Sequence, residues 1–223
     1  MTNPLVSVVI NTHNRCDYLR NALLGLSGVK YNNLEVIVVN GPSTDSTEIL
    51  LRNWSDKIKH VQCDVLNLSV SRNIGIKNSS GDIIAFMDDD AVPHPYWISK
   101  LVEHYYNPKV SAVGGFTIDN TGIKWQVRKT ICDRLGNAYN VSNFFDERPL
   151  SKKNSWYYPS LLGTNSSFRA SALRKIGGFD ETFSYMLDET DVCLRLVDDG
   201  GLVIYEPEAL IFHQFAPSAV RSK

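Results

Sequence analysis

The chain has 223 residues, of which 43% are hydrophobic and 21% are charged, and 23 Lys and Arg against 24 Asp and Glu leave a formal charge of −1. These values are typical of a globular protein with one large core, and they exclude a disordered chain. Because a basic excess is also missing, the composition excludes a protein that holds nucleic acid or an anionic membrane by bulk attraction.

Strands and helices alternate through the first half of the sequence. The β-branched run Leu5–Asn11 predicts a strand, and the apolar positions 19, 22, 23 and 26 behind it predict a helix. The same order then repeats, with strands predicted at Leu34–Val39, Ile58–Cys63 and Asp82–Met87 and helices at Thr44–Trp54 and Ser69–Asn78. Alternating βαβ units of this kind imply a mainly parallel sheet flanked by helices.

The second half of the sequence is less regular. Residues 119–159 show no clear period and are rich in aromatic side chains, namely Trp125, Tyr139, Phe144, Phe145, Trp156, Tyr157 and Tyr158. On either side of this stretch, helices are predicted at about Pro95–Tyr106, Ala170–Ile176 and Glu189–Asp198, and strands at Val110–Phe116, Leu202–Tyr205 and Leu210–Phe212. Regular structure of unassigned type is predicted at Leu161–Phe168. We therefore expect a single domain over residues 1–223 with an irregular insertion at 119–159.

An aspartate triplet follows the fourth predicted strand. Asp88, Asp89 and Asp90 come directly after the apolar run Ile83–Met87, at the carboxyl end of a strand, where ligands bind in open α/β sheets. Three adjacent carboxylates repel one another, and a hard divalent cation relieves that repulsion. Mg²⁺ or Mn²⁺ takes one or two carboxylates together with substrate phosphates. The triplet therefore predicts a metal site for a diphosphate-bearing ligand, against the alternative of a solvated acidic turn.

A second acidic group opens the last predicted helix. Asp188, Glu189 and Asp191 fall in its first turn, where acids also occur simply because they complement the helix dipole. A carboxylate whose pKa is raised by burial or by nearby acids can act as a general base, and one of these three is a candidate for that role.

Polar and basic residues lie at other strand ends and helix starts. Thr12, Asn14, Arg15 and Arg72 are placed where backbone N–H groups and helix dipoles favour anions. Arg72 could bind a phosphate or stack on a base, or be an ordinary surface arginine. His213 ends an apolar run and needs a partner before it has a functional meaning.

Five segments in this order resemble the family 2 inverting nucleotide-diphospho-sugar glycosyltransferases, which have the GT-A fold. The segments are VSVVINTHNR, VIVVNGPSTDST, SVSRNIGIKNSSGDIIAFMDDDAVPHPYWI, GTNSSFRASALRKIGGFDETF and DETDVCLRL, and the resemblance extends to His213. It implies a Rossmann-like mixed, mainly parallel sheet, with residues 1–117 binding the nucleotide sugar and residues 118–223 carrying the acceptor site and the catalytic base.

The resemblance also assigns roles to individual residues. It implies that Asp90, Asp88 and His213 hold Mn²⁺ or Mg²⁺, with Asp90 as the first choice of direct ligand. The catalytic base maps onto Glu189. Since the usual Glu-Asp order is reversed in this chain, Asp188 stays an alternative, and Asp191 belongs to the same acidic motif.

The donor site implied by the resemblance includes Thr12, Asn14, Arg15, Asn40, Arg72, Asp88 and Asp89. Most family members have an aspartate where this chain has Asn40. An amide both donates and accepts hydrogen bonds, whereas a carboxylate only accepts, so a UDP-sugar is favoured but is not secured by the sequence.

The expected activity is metal-dependent, inverting transfer of a sugar from a nucleotide-diphosphate donor to a hydroxyl group of a saccharide or lipid-linked saccharide, in polysaccharide or glycan assembly. The aromatic residues of the insertion could stack on sugar rings, touch a lipid carrier or fill a small second core. Two alternatives stay open: a nucleotidyltransferase, whose Gly-rich loop is missing from residues 11–15, and a non-catalytic nucleotide-sugar-binding module.

The sequence also carries expectations about location. No apolar run approaches the ~20 residues that cross a bilayer, and residues 1–5 lack the pattern of a signal peptide. We expect a cytoplasmic protein with no integral membrane segment, with peripheral association at the inner face of the membrane as an option, and four free cysteines.

Overall fold

The computed structural model describes residues 3–141 and 145–215. Four parallel strands and three helices form its first half. They are β1 (Val6–Thr12), α1 (Cys16–Ser27), β2 (Leu34–Asn40), α2 (Thr47–Asn53), β3 (Lys59–Gln62), α3 (Leu68–Asn78) and β4 (Ile83–Asp88). Strand β1 pairs in parallel with β2 and β4, and β2 pairs in parallel with β3. The alternation predicted from the sequence is confirmed for this half.

The second half adds strands to the same sheet. Its elements are β5 (Ala91–Pro93), α4 (Trp97–His104), β6 (Val110–Ile118), β7 (Trp125–Val127), β8 (Lys129–Asp133), β9 (Ala138–Val141), β10 (Tyr157–Pro159), a short 3₁₀ turn (Gly163–Asn165), β11 (Ser166–Arg169), α5 (Ala170–Lys175), α6 (Asp188–Asp198) and β12 (Leu202–His213). The described strands of the main sheet follow the order β3-β2-β1-β4-β11-β6-β12-β5, with β7 beside β6. Because β11 runs antiparallel to both of its neighbours, the sheet is mixed, as expected.

The segment 119–159 differs from its prediction. It carries the four strands β7 to β10, and three of them form a second sheet in the order β10-β8-β9. These strands are only three to five residues long, and β9 is largely exposed, so no two-residue alternation stands out in the sequence. The described part of this segment therefore contains short strands that the sequence does not predict.

The aromatic residues of this segment divide into two groups. Tyr158 is buried in a core cluster with Cys132, whereas Trp125, Trp156 and Tyr157 are about half exposed. Phe144 lies outside the described residues. Tyr158 therefore adds to the core on one face of the main sheet, whereas the other three rings are presented to solvent.

The carboxyl-terminal strand also differs from its prediction. One strand, β12, replaces the two predicted ones, and its pairing with β6 shifts register between Glu206 and Leu210. Such a bulge interrupts the hydrophobic alternation, which explains the gap seen in the sequence. The three-residue β5, which pairs with the end of β12, was not predicted because it is too short to show a pattern.

Two hydrophobic clusters cover the two faces of the main sheet. One joins α1, α2 and α4 to the sheet, and the other joins α3, α5 and α6 to it. All four cysteines are buried and free, as expected. Among the described residues, no helix combines the length and the apolar character that a membrane span requires.

Candidate active site

The predicted donor-site residues meet at the carboxyl edge of the parallel strands. Thr12 ends β1 and lies opposite Asn40 at the end of β2, while Asn11 lies opposite Asp88 at the end of β4. Parallel pairing therefore brings residues that are far apart in the sequence to one edge, which is where open α/β sheets bind ligands.

Asp89 ties two neighbouring loops together. Its carboxylate accepts hydrogen bonds from Thr12 Oγ1 at 2.7 Å and from Arg15 Nη1 at 2.9 Å. The side chain is buried, and burial raises its pKa to about 7 although Arg15 and Thr12 act in the opposite direction. Arg15 also reaches Asp90 Oδ2 at 3.5 Å, so one guanidinium lies against two of the three aspartates.

Asp88, Asp90 and His213 form a group that could hold a metal ion. One potential ligand atom from each of the three lies within 4.8 Å of the others, and His213 Nε2 is 3.0 Å from Asp90 Oδ1 and 3.9 Å from Asp88 Oδ2. Burial and the neighbouring Asp90 raise the pKa of Asp88, because its negative charge is disfavoured there. Two oxygens and one imidazole nitrogen facing each other suit Mn²⁺ or Mg²⁺, and a cation would relieve the repulsion between the carboxylates. The donor set therefore fits a divalent ion.

His213 is fixed from three sides. Besides Asp90 at Nε2, its Nδ1 lies 2.8 Å from Gln126 Oε1 on β7, and the ring of Phe215 packs against the imidazole with centroids 4.5 Å apart. The backbone N–H of Gln214 donates to the carbonyl oxygen of Asp90 at 2.7 Å. The end of β12 is therefore held directly against the aspartate triplet.

A second polar group joins α3 to the start of α6. Arg72 is buried, binds Asp188 through Nη1, and reaches Glu189 Oε1 through Nη2 at 2.6 Å. The face of its guanidinium lies 5.1 Å from the centroid of the Phe179 ring, a cation–π contact. Arg72 is thus enclosed among partners, and it is not the exposed surface arginine considered as an alternative.

Glu189 and Asp188 differ in exposure and in charge. The side chain of Asp188 is fully buried, whereas 17% of the Glu189 side chain is exposed. Burial and the adjacent Glu189 raise the pKa of Asp188 to about 7. Burial acts in the same direction on Glu189, but the charge of Arg72 and the hydrogen bonds made by this carboxyl together outweigh burial and lower its pKa. The raised pKa expected for a general base therefore falls on Asp188 and not on Glu189. At neutral pH Glu189 is the carboxylate that is both ionised and accessible.

Gly163 allows this arrangement through its missing side chain. A Cβ atom at this position would lie 2.0 Å from both Arg72 Nη2 and Glu189 Oε1, a distance that excludes any larger residue without rearrangement. The sequence places Gly163 in the GTN segment but gives no sign that its backbone lies against the Arg72–Glu189 pair. The need for glycine is therefore a finding of the structure.

Asn14 and Asn40 link the loops that follow β1 and β2. Asn14 has a left-handed backbone with φ of 53°, and its Oδ1 accepts a hydrogen bond from the Thr44 backbone N–H at 2.6 Å. Ser43 Oγ donates to Asn40 Oδ1 at 2.7 Å and accepts from the Asn14 backbone N–H at 2.9 Å. Both asparagines therefore hold together the two loops that follow β1 and β2, next to Thr12 and at the same sheet edge as the aspartates.

Asp191 is separate from the Arg72 group. Its carboxylate pairs with Arg195 one turn later in α6, at 2.5 Å and 2.8 Å, and Arg195 also donates to the carbonyl oxygens of Ile176 and Gly178. The structure thus brings Glu189 and Asp188 together with Arg72, and it places Asp191 in a contact that fastens α6 to the turn after α5.

Comparisons with known proteins identify the family of the chain. The sequence model of "Glycosyl transferase family 2" matches residues 7–177. A pre-mycofactocin glycosyltransferase of Mycobacterium tuberculosis is 30% identical over 93% of the chain, and the chain spans only 42% of that relative's length.

Solved structures share the fold. The mannosyltransferase PcManGT from Pyrobaculum calidifontis, in complex with GDP-Man and Mn²⁺, gives a TM-score of 0.72 at 19% identity over 98% of the chain and 59% of its own. GalNAc-T7 with UDP, GalNAc and Mn²⁺ gives 0.75 at 16% identity over 94% of the chain and 44% of its own. The fold is therefore of the GT-A type. Since the family model also covers more than half of the sequence, the chain belongs to glycosyltransferase family 2.

Proposed function

We propose that this chain carries the catalytic centre of a metal-dependent, inverting glycosyltransferase that moves a sugar from a nucleotide-diphosphate donor to a hydroxyl group. The observation that carries the proposal is the meeting of two groups at one sheet edge: Asp88, Asp90 and His213 in one, and Arg72 with Glu189 in the other. They are near enough for Glu189 to contribute to the raised pKa of Asp88.

In this proposal the first half of the chain binds the donor and the second half carries the base and the acceptor site, with a boundary near residues 117 and 118. Thr12, Asn14, Arg15 and Asn40 surround the nucleotide and its diphosphate. Arg15 already lies beside Asp89 and Asp90, so its guanidinium is placed to neutralise phosphate oxygens.

Asp88, Asp90 and His213 would hold the divalent ion, with Asp90 as a direct ligand. When bound, the ion supplies Lewis-acid stabilisation of the negative charge on the departing diphosphate. The residues themselves orient that group, and Asp89 supports them through Thr12 and Arg15.

Glu189 is the proposed general base. The acceptor oxygen attacks the anomeric carbon on the face opposite the diphosphate, the bond to the diphosphate oxygen breaks, and the hydroxyl proton passes to Glu189. A base must be ionised and reachable at working pH, and Glu189 meets both conditions whereas Asp188 is fully enclosed. One displacement of this kind inverts the configuration of the sugar.

The donor and acceptor are proposed in chemical terms. A UDP-sugar is the first choice because the family resemblance favours it. A GDP-sugar is the second choice, since one of the two solved structures named above is in complex with GDP-Man and the other with UDP. The acceptor is a saccharide or lipid-linked saccharide of polysaccharide or glycan assembly at the cytoplasmic side of the membrane. The exposed rings of Trp156 and Tyr157 offer surfaces for sugar stacking.

The test is a screen for hydrolysis of UDP-, GDP- and dTDP-sugars with Mn²⁺, with EDTA as the metal-free control. We expect release of the nucleoside diphosphate from one class of donor. Proton NMR of the freshly released sugar should show the opposite anomeric configuration, which tests inversion separately. Asp90→Asn and Glu189→Gln serve as inactive controls. If none of these donors were bound or hydrolysed by folded protein, the proposal would be wrong.

A further inference from the structure

Gln126 contacts the one histidine of the proposed metal site. Its side-chain Oε1 lies 2.8 Å from His213 Nδ1, on the side of the ring opposite to Nε2, which faces Asp90 at 3.0 Å. The imidazole is buried, with 5% of its side chain exposed. No sequence motif points to Gln126, because it lies in the segment that shows no period.

We propose that Gln126 is a positioning residue that fixes the tautomer and the orientation of His213, so that Nε2 presents its lone pair to a divalent ion. The inference rests on the proposed function, since it concerns the same metal site. It assigns to β7 a role in metal binding that neither the family motifs nor the aspartate triplet contains.

The chemistry of the amide oxygen supports this role. A carbonyl oxygen only accepts hydrogen bonds, so in the proposed state Nδ1 carries the proton and donates it to Gln126 Oε1. With the proton on Nδ1, the neutral imidazole has its free lone pair on Nε2, on the side of Asp88 and Asp90. Partners of this kind on the second ring nitrogen typically change metal affinity 10–100-fold when they are removed.

The strands that carry the pair are held in place by their neighbours. Strand β6 lies between the two strands that carry the pair, because Ile118 of β6 lies opposite Trp125 of β7 and opposite Phe212 of β12. Gln126 occupies the register shift between Trp125 and Val127, and from there its side chain reaches His213 at the end of β12. The Trp125 ring packs edge-on against Phe116 with centroids 5.6 Å apart. A side chain on a strand fixed in this way can hold an imidazole more precisely than one on a free loop.

The experiment measures Mn²⁺ affinity by the electron paramagnetic resonance signal of free Mn²⁺, with the metal alone and again with UDP or GDP added. The variants are Gln126→Leu, which removes the acceptor, and Gln126→Glu, which keeps an acceptor oxygen at the same reach. Lys124→Leu, an exposed neighbour on the same segment, is the matched control. Thermal unfolding confirms that each variant is folded.

We expect Gln126→Leu to weaken Mn²⁺ binding about 10–100-fold, and both Gln126→Glu and Lys124→Leu to stay close to the wild-type affinity. The inference is overturned if Gln126→Leu binds Mn²⁺ as the wild type does, or if Gln126→Glu loses affinity as strongly as Gln126→Leu. Should Gln126→Leu fail to fold, Gln126→Asn replaces it, because the shorter side chain withdraws the acceptor but keeps the amide.

The Mn²⁺ titration separates a failure of the proposed metal site from a failure of the proposed role of Gln126. A wild-type protein that binds no Mn²⁺ under either condition would overturn the metal site and this inference with it. A wild-type protein that binds Mn²⁺ with an affinity that does not depend on residue 126 would overturn this inference alone.

Discussion

At the scale of single residues, the site separates two adjacent carboxylates by their surroundings. Asp188 is enclosed and Glu189 is partly open, and Arg72 contacts both. The arginine keeps Glu189 ionised, whereas burial favours the protonated form of Asp188. The reversed order of the two acids in this chain therefore does not prevent a carboxylate from occupying the exposed position beside Arg72.

The first prediction separates the roles of these two acids. Glu189→Gln removes the proton acceptor but retains a hydrogen-bonding group for Arg72, so we expect sugar transfer to fall about 10²–10⁴-fold, with donor affinity nearly unchanged. Asp188→Asn changes a group that no acceptor can reach, and its loss of turnover should be smaller. Turnover and calorimetric donor binding are measured on both variants. A stronger loss in Asp188→Asn than in Glu189→Gln would place the base at Asp188.

At the scale of elements, one buried amide joins three of them. Asn165 donates through Nδ2 to the carbonyl oxygens of Phe116 and Ala209, both at 2.9 Å, and its Oδ1 accepts from Trp97 Nε1 at 2.8 Å. These contacts connect α4, β6 and the bulge of β12, the strand that ends at His213. The amide uses three of its hydrogen-bonding positions in a dry interior, which makes it costly to replace.

The second prediction concerns this amide. Asn165→Leu removes the hydrogen-bond partner of the Trp97 N–H and of two backbone carbonyl oxygens. Each buried polar group that loses its partner reduces the free energy of unfolding by about 1–3 kcal/mol. We expect the free energy of unfolding in urea to fall by at least that amount, while Asn32→Leu, at an exposed position, should change it little. Equal stability of the two variants would show that Asn165 does not hold these elements together.

The third prediction concerns the same bulge and its response to pH. Burial raises the pKa of Glu206, but hydrogen bonds from His104 at 2.5 Å and from the Glu208 backbone N–H at 2.8 Å outweigh it, so the pKa is lowered overall. A lowered folded-state pKa contributes stability above the unfolded value of about 4.3, and this contribution is lost as the pH falls through the folded pKa. Glu206→Gln should therefore reduce stability at neutral pH and lose that difference in acid.

Urea unfolding at a series of pH values from neutral into acid measures this effect. Glu208→Gln is the matched control, since Glu208 is 69% exposed and its ion pair with Lys100 is a surface pair of small energetic value. A difference between Glu206→Gln and the wild type that stays constant with pH would contradict the assignment.

Among the elements, the sequence predicts those with strong patterns. Strand β4 is readable because both of its faces are buried, which makes its residues apolar without interruption, and the aspartates behind it mark the sheet edge. The strands β7 to β10 are too short and too exposed for that. Gln126 could not be found because its role depends on β6 lying between β7 and β12, which is a property of the tertiary pairing.

At the scale of the whole molecule, the net charge of −1 conceals an uneven distribution. In the sequence, Arg195 is the cation nearest to Asp188 and Glu189. It pairs with Asp191 instead of with these two acids. The fold brings Arg15 and Arg72 to the acids instead, from positions more than 70 residues away from their partners Asp89 and Asp188. Closeness in the sequence is thus a poor guide to which charged residues form ion pairs. The charged residues found at the ends of the parallel strands are a better guide, because the fold brings those ends together.

The last prediction follows from the charge that remains at this centre. Burial and the neighbouring Asp90 raise the pKa of Asp88, so a divalent ion bound only by the folded state should stabilise the whole molecule. The gain grows with ion concentration and is about 2.7 kcal/mol at 100 times Kd. We expect Mn²⁺ to raise the Tm, EDTA to reverse the rise, and Asp90→Asn to abolish it. Asp17→Asn, at an exposed site on α1, should keep the full response, because its carboxylate pairs with Arg20. A Tm that does not change with Mn²⁺ in the wild type, or that rises equally in Asp90→Asn, would show that the acidic centre is not where the ion acts.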